Sequence, residues 1–256
     1  MSVDTPTVLL TGATGKLGCS FVRGFAAMGA SIAFTSRSAA SIKKLEAECL
    51  RLGAHRAMGV RVDLTSAGAA KLIARELSKR GALPDVLIHN ARNTDYLKPE
   101  PKGGISRANW QGELLLDVVL PYELTMALAN VPKSPLRSVV NIASIYGVTA
   151  PNLALYDRPE FESPVNYGVA KAALIHLTKE LAVRLAPRKI AVNAVSYGGV
   201  AGRAGAGFRK RYSRLSPSGR MLEDADVFGA VKFLASGDSG GMTGHNLVVD
   251  GGWTAW

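Results

Sequence analysis

Short apolar runs alternate with longer stretches of helical periodicity from one end of the chain to the other. The apolar runs predict buried strands at 7–10, 31–35, 59–62, 86–89, 139–142, 190–195 and 246–249. The periodic stretches predict helices around 21–26, 42–52, 69–79, 110–130, 166–185 and 226–234, with a kink at Pro121. Repeated β-α units with short connections predict one domain over 1–256. It is an α/β Rossmann fold whose parallel, doubly wound, seven-stranded sheet carries helices on both faces.

A glycine-rich turn follows the first predicted strand. It reads Thr-Gly-Ala-Thr-Gly-Lys-Leu-Gly from position 11 to 18 and leads directly into an apolar helical pattern. This order suits a dinucleotide site, because glycines let the backbone approach a pyrophosphate whose charge lies at the helix N-terminus. The alternative is an ordinary connection between strand and helix. We expect cofactor binding by Gly12, Thr14, Gly15, Lys16, Leu17 and Gly18.

Tyr167 and Lys171 stand four residues apart at the start of the longest predicted helix. This spacing places both side chains on one helix face, one turn apart. A neighbouring ammonium favours the phenolate form of a tyrosine. Such a tyrosine can take a proton from an alcohol or give one to a carbonyl. Many surface helices carry the same spacing, so the pair acquires significance only together with other motifs.

The net charge of the chain is +11, and its basic residues are densest at 203–220. Neither aromatic interleaving nor a recognition motif accompanies them, so we predict no nucleic-acid partner. An anionic small-molecule substrate would suit this charge, and a solvated basic surface is the alternative. No apolar run approaches the ~20 residues of a membrane span, and no signal peptide is evident, which predicts a cytoplasmic protein without a membrane partner. The scattered histidines and cysteines predict no metal site.

Further segments carry characteristic residues in a fixed order. They are Val62-Asp63-Leu64-Thr65, Asn90-Ala91, Ser144, Asn193-Ala194-Val195-Ser196, Thr243-Gly244 and Val249-Asp250-Gly251-Gly252-Trp253. With the glycine turn and the tyrosine–lysine pair, this ordered set resembles the short-chain dehydrogenase/reductase family over nearly the full length of the chain.

The resemblance implies an NAD(P)-dependent oxidoreductase (EC 1.1.1.-) that interconverts a secondary alcohol and a ketone by hydride transfer. Tyr167 would be the general acid/base, Lys171 would support it and bind the nicotinamide ribose, and Ser144 would hold the substrate oxygen. Cofactor contacts would come from Asp63 and Leu64 at the adenine, Asn90 and Ala91 beside the adenosine, and the backbone of Val200 at the nicotinamide amide.

The end of the second strand bears on the choice between the two nicotinamide dinucleotides. An acid there would accept hydrogen bonds from the ribose 2′-hydroxyl and select NAD. Ser36 stands in that place, and Arg37 follows it. The change removes a carboxylate and supplies a guanidinium suited to a 2′-phosphate. We therefore expect NADP(H) to be preferred over NAD(H).

Four features depart from the family's common pattern. Lys16 replaces a small residue, Tyr197 replaces a proline, and Asp117 replaces an asparagine whose backbone binds a water behind the catalytic lysine. Asp117 is included among the catalytic candidates, since its charge would lie near the lysine. The fourth departure is the long connection between Ser144 and Tyr167, which are 167 − 144 = 23 residues apart and enclose an insertion at 151–161. We expect the loops near 148–165 and 200–220 to contact substrate, with a surface elaboration or a subunit contact as the alternative for the first.

The long connection, with Ser144-Ile145-Tyr146-Gly147 and Asn90-Ala91-Arg92-Asn93, resembles a bacterial subgroup of flagellin modification and surface-sugar biosynthesis. That resemblance implies a polar, sugar-like or phosphorylated substrate. The family resemblance implies assembly as a homotetramer or homodimer. One alternative is a reductase of a less polar 3-oxoacyl or polyketide ketone, which the few apolar residues of 200–220 disfavour. The other is a non-catalytic dinucleotide-binding sensor, which has no need of the three catalytic candidates.

Overall fold

The computed structural model describes residues 5–202 and 204–256. In this part of the chain, strands β1 to β7 span Thr7–Leu10, Ser31–Ser36, Arg56–Arg61, Val86–His89, Ser138–Ser144, Ala191–Tyr197 and Asn246–Val249. They form one parallel sheet in the order β3-β2-β1-β4-β5-β6-β7. The strand order reverses between β1 and β4, and in such sheets a ligand crevice lies at the carboxyl ends of the strands beside the reversal.

The helices α1 to α9 span Lys16–Ala27, Ala39–Arg51, Ala69–Lys79, Arg107–Leu114, Leu120–Ala129, Pro159–Glu162, Val165–Leu185, Ala206–Leu215 and Asp224–Ala235. A short 3-10 turn at Thr94–Leu97 lies between β4 and α4, and two others at Ile145–Gly147 and Leu153–Leu155 lie between β5 and α6. No helix in the described ranges is both long enough and apolar enough to cross a membrane.

Two apolar layers hold the helices against the sheet. On β1, Val8 and Leu10 point to the layer formed with α1, α2 and α9, whereas Leu9 points to the layer formed with α3, α5 and α7. This alternation follows from the two-residue period of a strand, and both faces are apolar because helices cover both. The predicted doubly wound fold is confirmed.

Several strands differ in extent from the prediction. β3 begins at Arg56, three residues before the apolar run, because its backbone pairs with β2 from Ser31 onward. β6 continues to Tyr197 beside β5, which itself ends at Ser144. Pairing of backbone groups sets these limits, whereas the prediction used only side-chain hydrophobicity.

The predicted helix at 110–130 is three segments. α4 ends at Leu114, a π-helical turn spans Leu115–Val119, and α5 begins at Leu120. The amide of Leu120 donates to the carbonyl of Leu115, five residues earlier. Pro121 lies in the first turn of α5, and because it has no N–H it cannot continue the α-helical pattern from α4. The widened turn carries Asp117.

Candidate active site

The glycine turn packs directly against the end of β4. Gly12 has a φ of +68°, and a Cβ built on it would lie 2.7 Å from the Cα of Ala91. The side-chain amide of Asn90 donates to the carbonyls of Gly12 at 3.0 Å and Thr11 at 3.3 Å. The hydroxyl of Thr11 in turn accepts from the backbone amides of Asn90 and Ala91. These bonds fix the turn at the crevice between β1 and β4.

The N-terminus of α1 opens at this turn. Gly15 is the residue before the helix and supplies no side-chain cap, and the first intrahelical bond runs from Cys19 to Gly15. The backbone amides of the first turn therefore remain available, as a bound phosphate group requires. Gly18 brings α1 close, since a Cβ there would lie 2.2 Å from the carbonyl oxygen of Gly12. These residues fit a dinucleotide pyrophosphate.

Two cavities meet at the turn and form one cleft along the carboxyl ends of the strands. The smaller, of about 290 Å³, lies beside β2 and β3, and the larger, of about 940 Å³, lies beside β5 and β6. Gly12, Thr14 and Arg92 line both. A dinucleotide has two halves joined by a pyrophosphate, and this cleft offers two chambers joined at a phosphate-binding turn.

The smaller cavity contains the predicted adenosine contacts Ser36, Arg37, Asp63, Leu64 and Ala91. Asp63 accepts hydrogen bonds from the backbone amide and hydroxyl of Thr65, at 2.9 and 2.8 Å, which lower the pKa of its carboxyl.

Arg37 lies at the mouth of the smaller cavity. Its carbonyl accepts from the Nε of Arg61 at 3.2 Å, so a second guanidinium adjoins the same strand end. The hydroxyl of Ser36 accepts from the amide of Ser38 at 3.2 Å. The strand end therefore presents positive charge where an NAD-selecting enzyme would have an acid.

The larger cavity contains Ser144 and Tyr167 together, with Gly15, Lys16, Leu17, Asn90 and Val200 on its walls. Ser144 is the last residue of β5 and is 6% exposed. Its Oγ accepts from the amide of Tyr146 at 3.2 Å, which leaves its proton free to be donated. Tyr167 lies in the first turn of α7. Residues far apart in sequence therefore share one cavity.

Lys171 lies behind Tyr167, with its Nζ 5.8 Å from the centre of the tyrosine ring. The side chain is buried and donates to Asp117 Oδ1 at 2.9 Å and to the carbonyl of Ile142 at 3.0 Å. Lys171 is 6% exposed, and Asp117 is 3% exposed. Asp117 thus meets the lysine directly through its carboxylate.

Arg92 lies on the cavity side of Tyr167, with its guanidinium carbon 4.4 Å from the ring centre. A cation over an aromatic face is attractive, and this contact orients the phenol between two positive side chains. Arg92 is exposed and lines both cavities.

The long connection and the 200–220 segment contact each other, and both line the larger cavity. Arg211 of α8 donates to the carbonyl of Leu155 at 2.8 Å and lies 3.0 Å from Asp157. The hydroxyls of Tyr146 and Tyr156 are 2.7 Å apart and face the same space. The long connection is therefore part of the wall of this cavity.

The comparisons with known proteins agree with this geometry. A family model described as enoyl-(acyl carrier protein) reductase matches residues 12–254. The chain belongs to the short-chain dehydrogenase/reductase family. It is 30% identical over 99% of its length to galactitol 2-dehydrogenase (L-tagatose-forming) of Cereibacter sphaeroides, covering 97% of that protein. It is 36% identical over 47% of its length to post-translational flagellin modification protein A of Campylobacter coli, also covering 47% of that protein.

A solved member has the same architecture. The short-chain dehydrogenase of Leptospira borgpetersenii, determined with bound NAD+, superposes with a TM-score of 0.82 at 28% identity, covering 96% of this chain and 92% of that one. The predicted family and enzyme class are confirmed: the chain is an NAD(P)-dependent oxidoreductase with a small-molecule substrate.

Two departures from the family's pattern have structural explanations. Tyr197 is buried, donates its hydroxyl hydrogen to the carbonyl of Val227 and packs against Phe21 at 6.4 Å between ring centres. It joins β6 to α9 within the core. The Nζ of Lys16 lies 3.7 Å from Asp224, so its charge is partly shared with α9 while it lines the larger cavity.

The basic 203–220 run contributes less to the cavity than its charge suggested. Arg209, Lys210 and Arg214 are exposed and do not line the cavity, and Arg211 is paired with Asp157. Arg203 lies outside the described residues.

The sequence predicts no role for Arg92 or Glu113. Arg92 stands three residues after the predicted strand at 86–89, and a charged residue so close to a strand end is a usable signal. Glu113 is fully buried in α4, and nothing in the sequence distinguishes it from a surface glutamate.

Replacing Gly18 with alanine should disrupt dinucleotide binding. The added methyl would lie 2.2 Å from the carbonyl oxygen of Gly12, so the turn would have to move away from α1. We expect NADPH affinity to fall at least about tenfold and the free energy of unfolding to fall by about 1–3 kcal/mol, measured by fluorescence titration and urea unfolding.

Gly229 provides a matched control inside α9, since a Cβ there would meet nothing within 4 Å. Gly229→Ala should leave NADPH affinity unchanged and raise stability by about 0.5–1 kcal/mol. Equal NADPH affinity in wild type and Gly18→Ala would show that the close contact does not shape the turn.

Proposed function

We propose that the protein is an NADP(H)-dependent oxidoreductase that interconverts a secondary alcohol and a ketone on a polar, sugar-like or phosphorylated substrate. One observation carries the proposal. Ser144 and Tyr167 line the same cavity as the glycine turn, and Lys171 is buried directly behind the tyrosine. This arrangement supports proton transfer at the place where a nicotinamide would lie.

Each of the three residues has one task in the proposed reaction. Ser144 donates a hydrogen bond to the substrate oxygen and stabilises charge that develops on it. Tyr167 gives a proton to that oxygen in reduction and takes it in oxidation. Lys171 stabilises the phenolate form by its charge. A bound nicotinamide supplies the hydride chemistry.

The preference for NADP(H) is supported by the charge at the end of β2. Arg37 lines the smaller cavity, and Arg61 donates to the carbonyl of Arg37. Ser36 leaves no carboxylate to bind a ribose 2′-hydroxyl. A guanidinium binds a phosphate through charge-assisted hydrogen bonds, and a carboxylate in the same place would repel it.

Arg37→Asp should therefore reverse the cofactor preference. We expect NADPH affinity to fall by about tenfold to a hundredfold, because a charge-assisted contact worth about 1.5–3 kcal/mol is lost and a repulsion is added. NADH affinity should change by less than about threefold. Arg51→Asp, on the exposed end of α2 and outside both cavities, is the control. Equal affinities of the wild type for the two cofactors would rule out the preference.

A polar substrate is supported by the walls of the larger cavity. Polar groups line the cavity that contains Ser144 and Tyr167. They are the paired hydroxyls of Tyr146 and Tyr156, the carboxyls of Asp157 and Glu162, and the guanidinium of Arg92. Hydroxyl and carboxyl groups suit the hydroxyls of a sugar, and Arg92 suits a phosphate or carboxylate.

The substrate class can be tested with a panel. Polyols, aldoses, ketoses and their phosphate esters would be compared with a 3-oxoacyl thioester, with turnover measured by nicotinamide absorbance. We expect activity on the hydroxylated compounds and a preference for phosphate esters. Activity confined to the thioester would favour the less polar ketone reductase, and tight cofactor binding without any turnover would favour the sensor.

We also propose assembly as a homotetramer or homodimer. Val165, Val169 and Val183 are exposed on α7, and Trp256 is exposed at the C-terminus, whereas Trp253 stacks on Tyr212 at 4.3 Å. Exposed apolar side chains along a helix suit a subunit interface. Light scattering measures the mass, and a species of 27 kDa would contradict this assembly.

A further inference from the structure

The side-chain carboxyl group of Glu113 is buried in the protein interior. It lies in α4, is 1% exposed, and neither side-chain oxygen has a hydrogen-bond partner among the described residues. The next residue, Leu114, ends α4, and Asp117 follows in the π-helical turn. One oxygen of Asp117 is bonded to Lys171, and its second oxygen also lacks a partner within the described ranges.

Titratable groups lie on each element packed against α4. Asp117 lies on the π-helical turn, Lys171 and Tyr167 lie on α7, and Asp95 and Tyr96 lie on the 3-10 turn Thr94–Leu97. Arg92 lies in the segment that follows β4. The ring of Tyr96 covers α4 at Gly112, where an added Cβ would lie 2.6 Å from it.

The pKa of Glu113 is raised to about 7, mainly by burial and secondly by the charge of Asp117. The charges of Lys171 and Arg92 act in the opposite direction. Two buried carboxylates beside one buried ammonium leave an uncompensated negative charge, and such a pair retains one proton instead.

We propose that Glu113 is a positioning residue that holds a proton behind Lys171 and thereby sets how strongly the lysine supports Tyr167. While Glu113 is protonated, Asp117 and Lys171 balance each other. When Glu113 loses its proton, the three groups carry a net negative charge. Negative charge behind the lysine disfavours the phenolate of Tyr167 and favours its neutral phenol.

The consequence depends on the direction of the reaction and rests on the proposed function. Alcohol oxidation needs Tyr167 as a base, so ionisation of Glu113 holds that direction back as pH rises. Carbonyl reduction needs Tyr167 as an acid, so the same ionisation favours it. The acid pair would therefore move the pH profiles of both directions to higher pH, and the equilibrium between alcohol and ketone would stay unchanged.

The proton on Glu113 can be observed without any substrate. Infrared difference spectra of the full-length protein between pH 5 and 9 should show the C=O stretch of a buried carboxylic acid. The band should be absent in Glu113→Gln and present in Glu123→Gln, whose side chain is exposed on α5. In Asp117→Asn the band should disappear at lower pH than in wild type, because a like charge has been removed. Absence of the band in wild type, or no effect of Asp117→Asn, would overturn the proposal.

The effect on Tyr167 is measured by turnover with the best substrate of the panel. For alcohol oxidation, the kcat of Glu113→Gln divided by that of wild type should be about one at pH 6 and about ten at pH 9, since one added buried charge changes a neighbouring ionisation by about one pH unit. The KM should be unchanged. A kcat ratio that stays constant with pH would show that Glu113 is merely structural. Because the infrared result needs no turnover, failure of the proposed reaction would be seen separately.

Discussion

Tyr167→Phe should reduce turnover by about a hundredfold to ten-thousandfold while leaving NADPH affinity within about threefold of wild type. The change removes only the hydroxyl that gives or takes the proton. The ring remains between Arg92 and Lys171, at 4.4 and 5.8 Å from their cationic groups. Steady-state kinetics with the best substrate and NADPH titration measure the two quantities.

Tyr156→Phe is the matched control, because it removes another phenolic hydroxyl from the same cavity. That hydroxyl lies 2.7 Å from the hydroxyl of Tyr146, whereas the ammonium of Lys171 donates to Asp117 and to the carbonyl of Ile142. We expect kcat/KM to fall by less than about tenfold, mainly because KM rises. If Tyr156→Phe abolished turnover and Tyr167→Phe did not, the acid/base assignment would be wrong.

Much of the site was predictable because parallel strands bring distant residues to one edge. Hydrophobic periodicity alone predicts a strand at 139–142, which ends two residues before Ser144, and a helix at 166–185, which begins beside Tyr167. The crevice follows from the reversal of strand order beside β1, so the glycine turn and Asn90 had to adjoin it. Local pattern and topology agree here, and such agreement makes sequence reasoning reliable.

The role of Asp117 was not predictable from periodicity. The prediction gave this position a backbone role, as in the family's asparagine, together with a charge near Lys171. The structure places the carboxylate itself on the lysine ammonium at 2.9 Å. That contact depends on the π-helical turn between α4 and α5, since one extra residue in a turn rotates the following side chains about the helix axis.

The burial of Glu113 depends on packing between segments far apart in sequence. A helix carrying a glutamate is normally read as presenting it to solvent. Here α7 and the 3-10 turn Thr94–Leu97 cover α4 from two sides, and neither covering is encoded within α4 itself. The same limit applies to Arg211, whose pairing with Asp157 requires α8 to meet the long connection.

Asp117→Leu should lower the free energy of unfolding by about 3–5 kcal/mol, because it leaves the buried ammonium of Lys171 without its anion. Both side chains are almost fully buried, so water cannot replace the lost partner. Urea unfolding monitored by fluorescence measures the change. Glu113→Gln would be present in every protein compared, so that Glu113 cannot supply the missing negative charge.

Two further variants separate charge from shape in this prediction. Asp117→Asn keeps an oxygen that accepts a hydrogen bond from Lys171, so its loss should be smaller than that of Asp117→Leu. The double variant Asp117→Leu with Lys171→Met has no buried charge left at the pair and should recover most of the lost stability. A double variant as unstable as Asp117→Leu alone would mean that the single change acts through packing. In that case the ion pair would not be what holds Lys171 behind Tyr167.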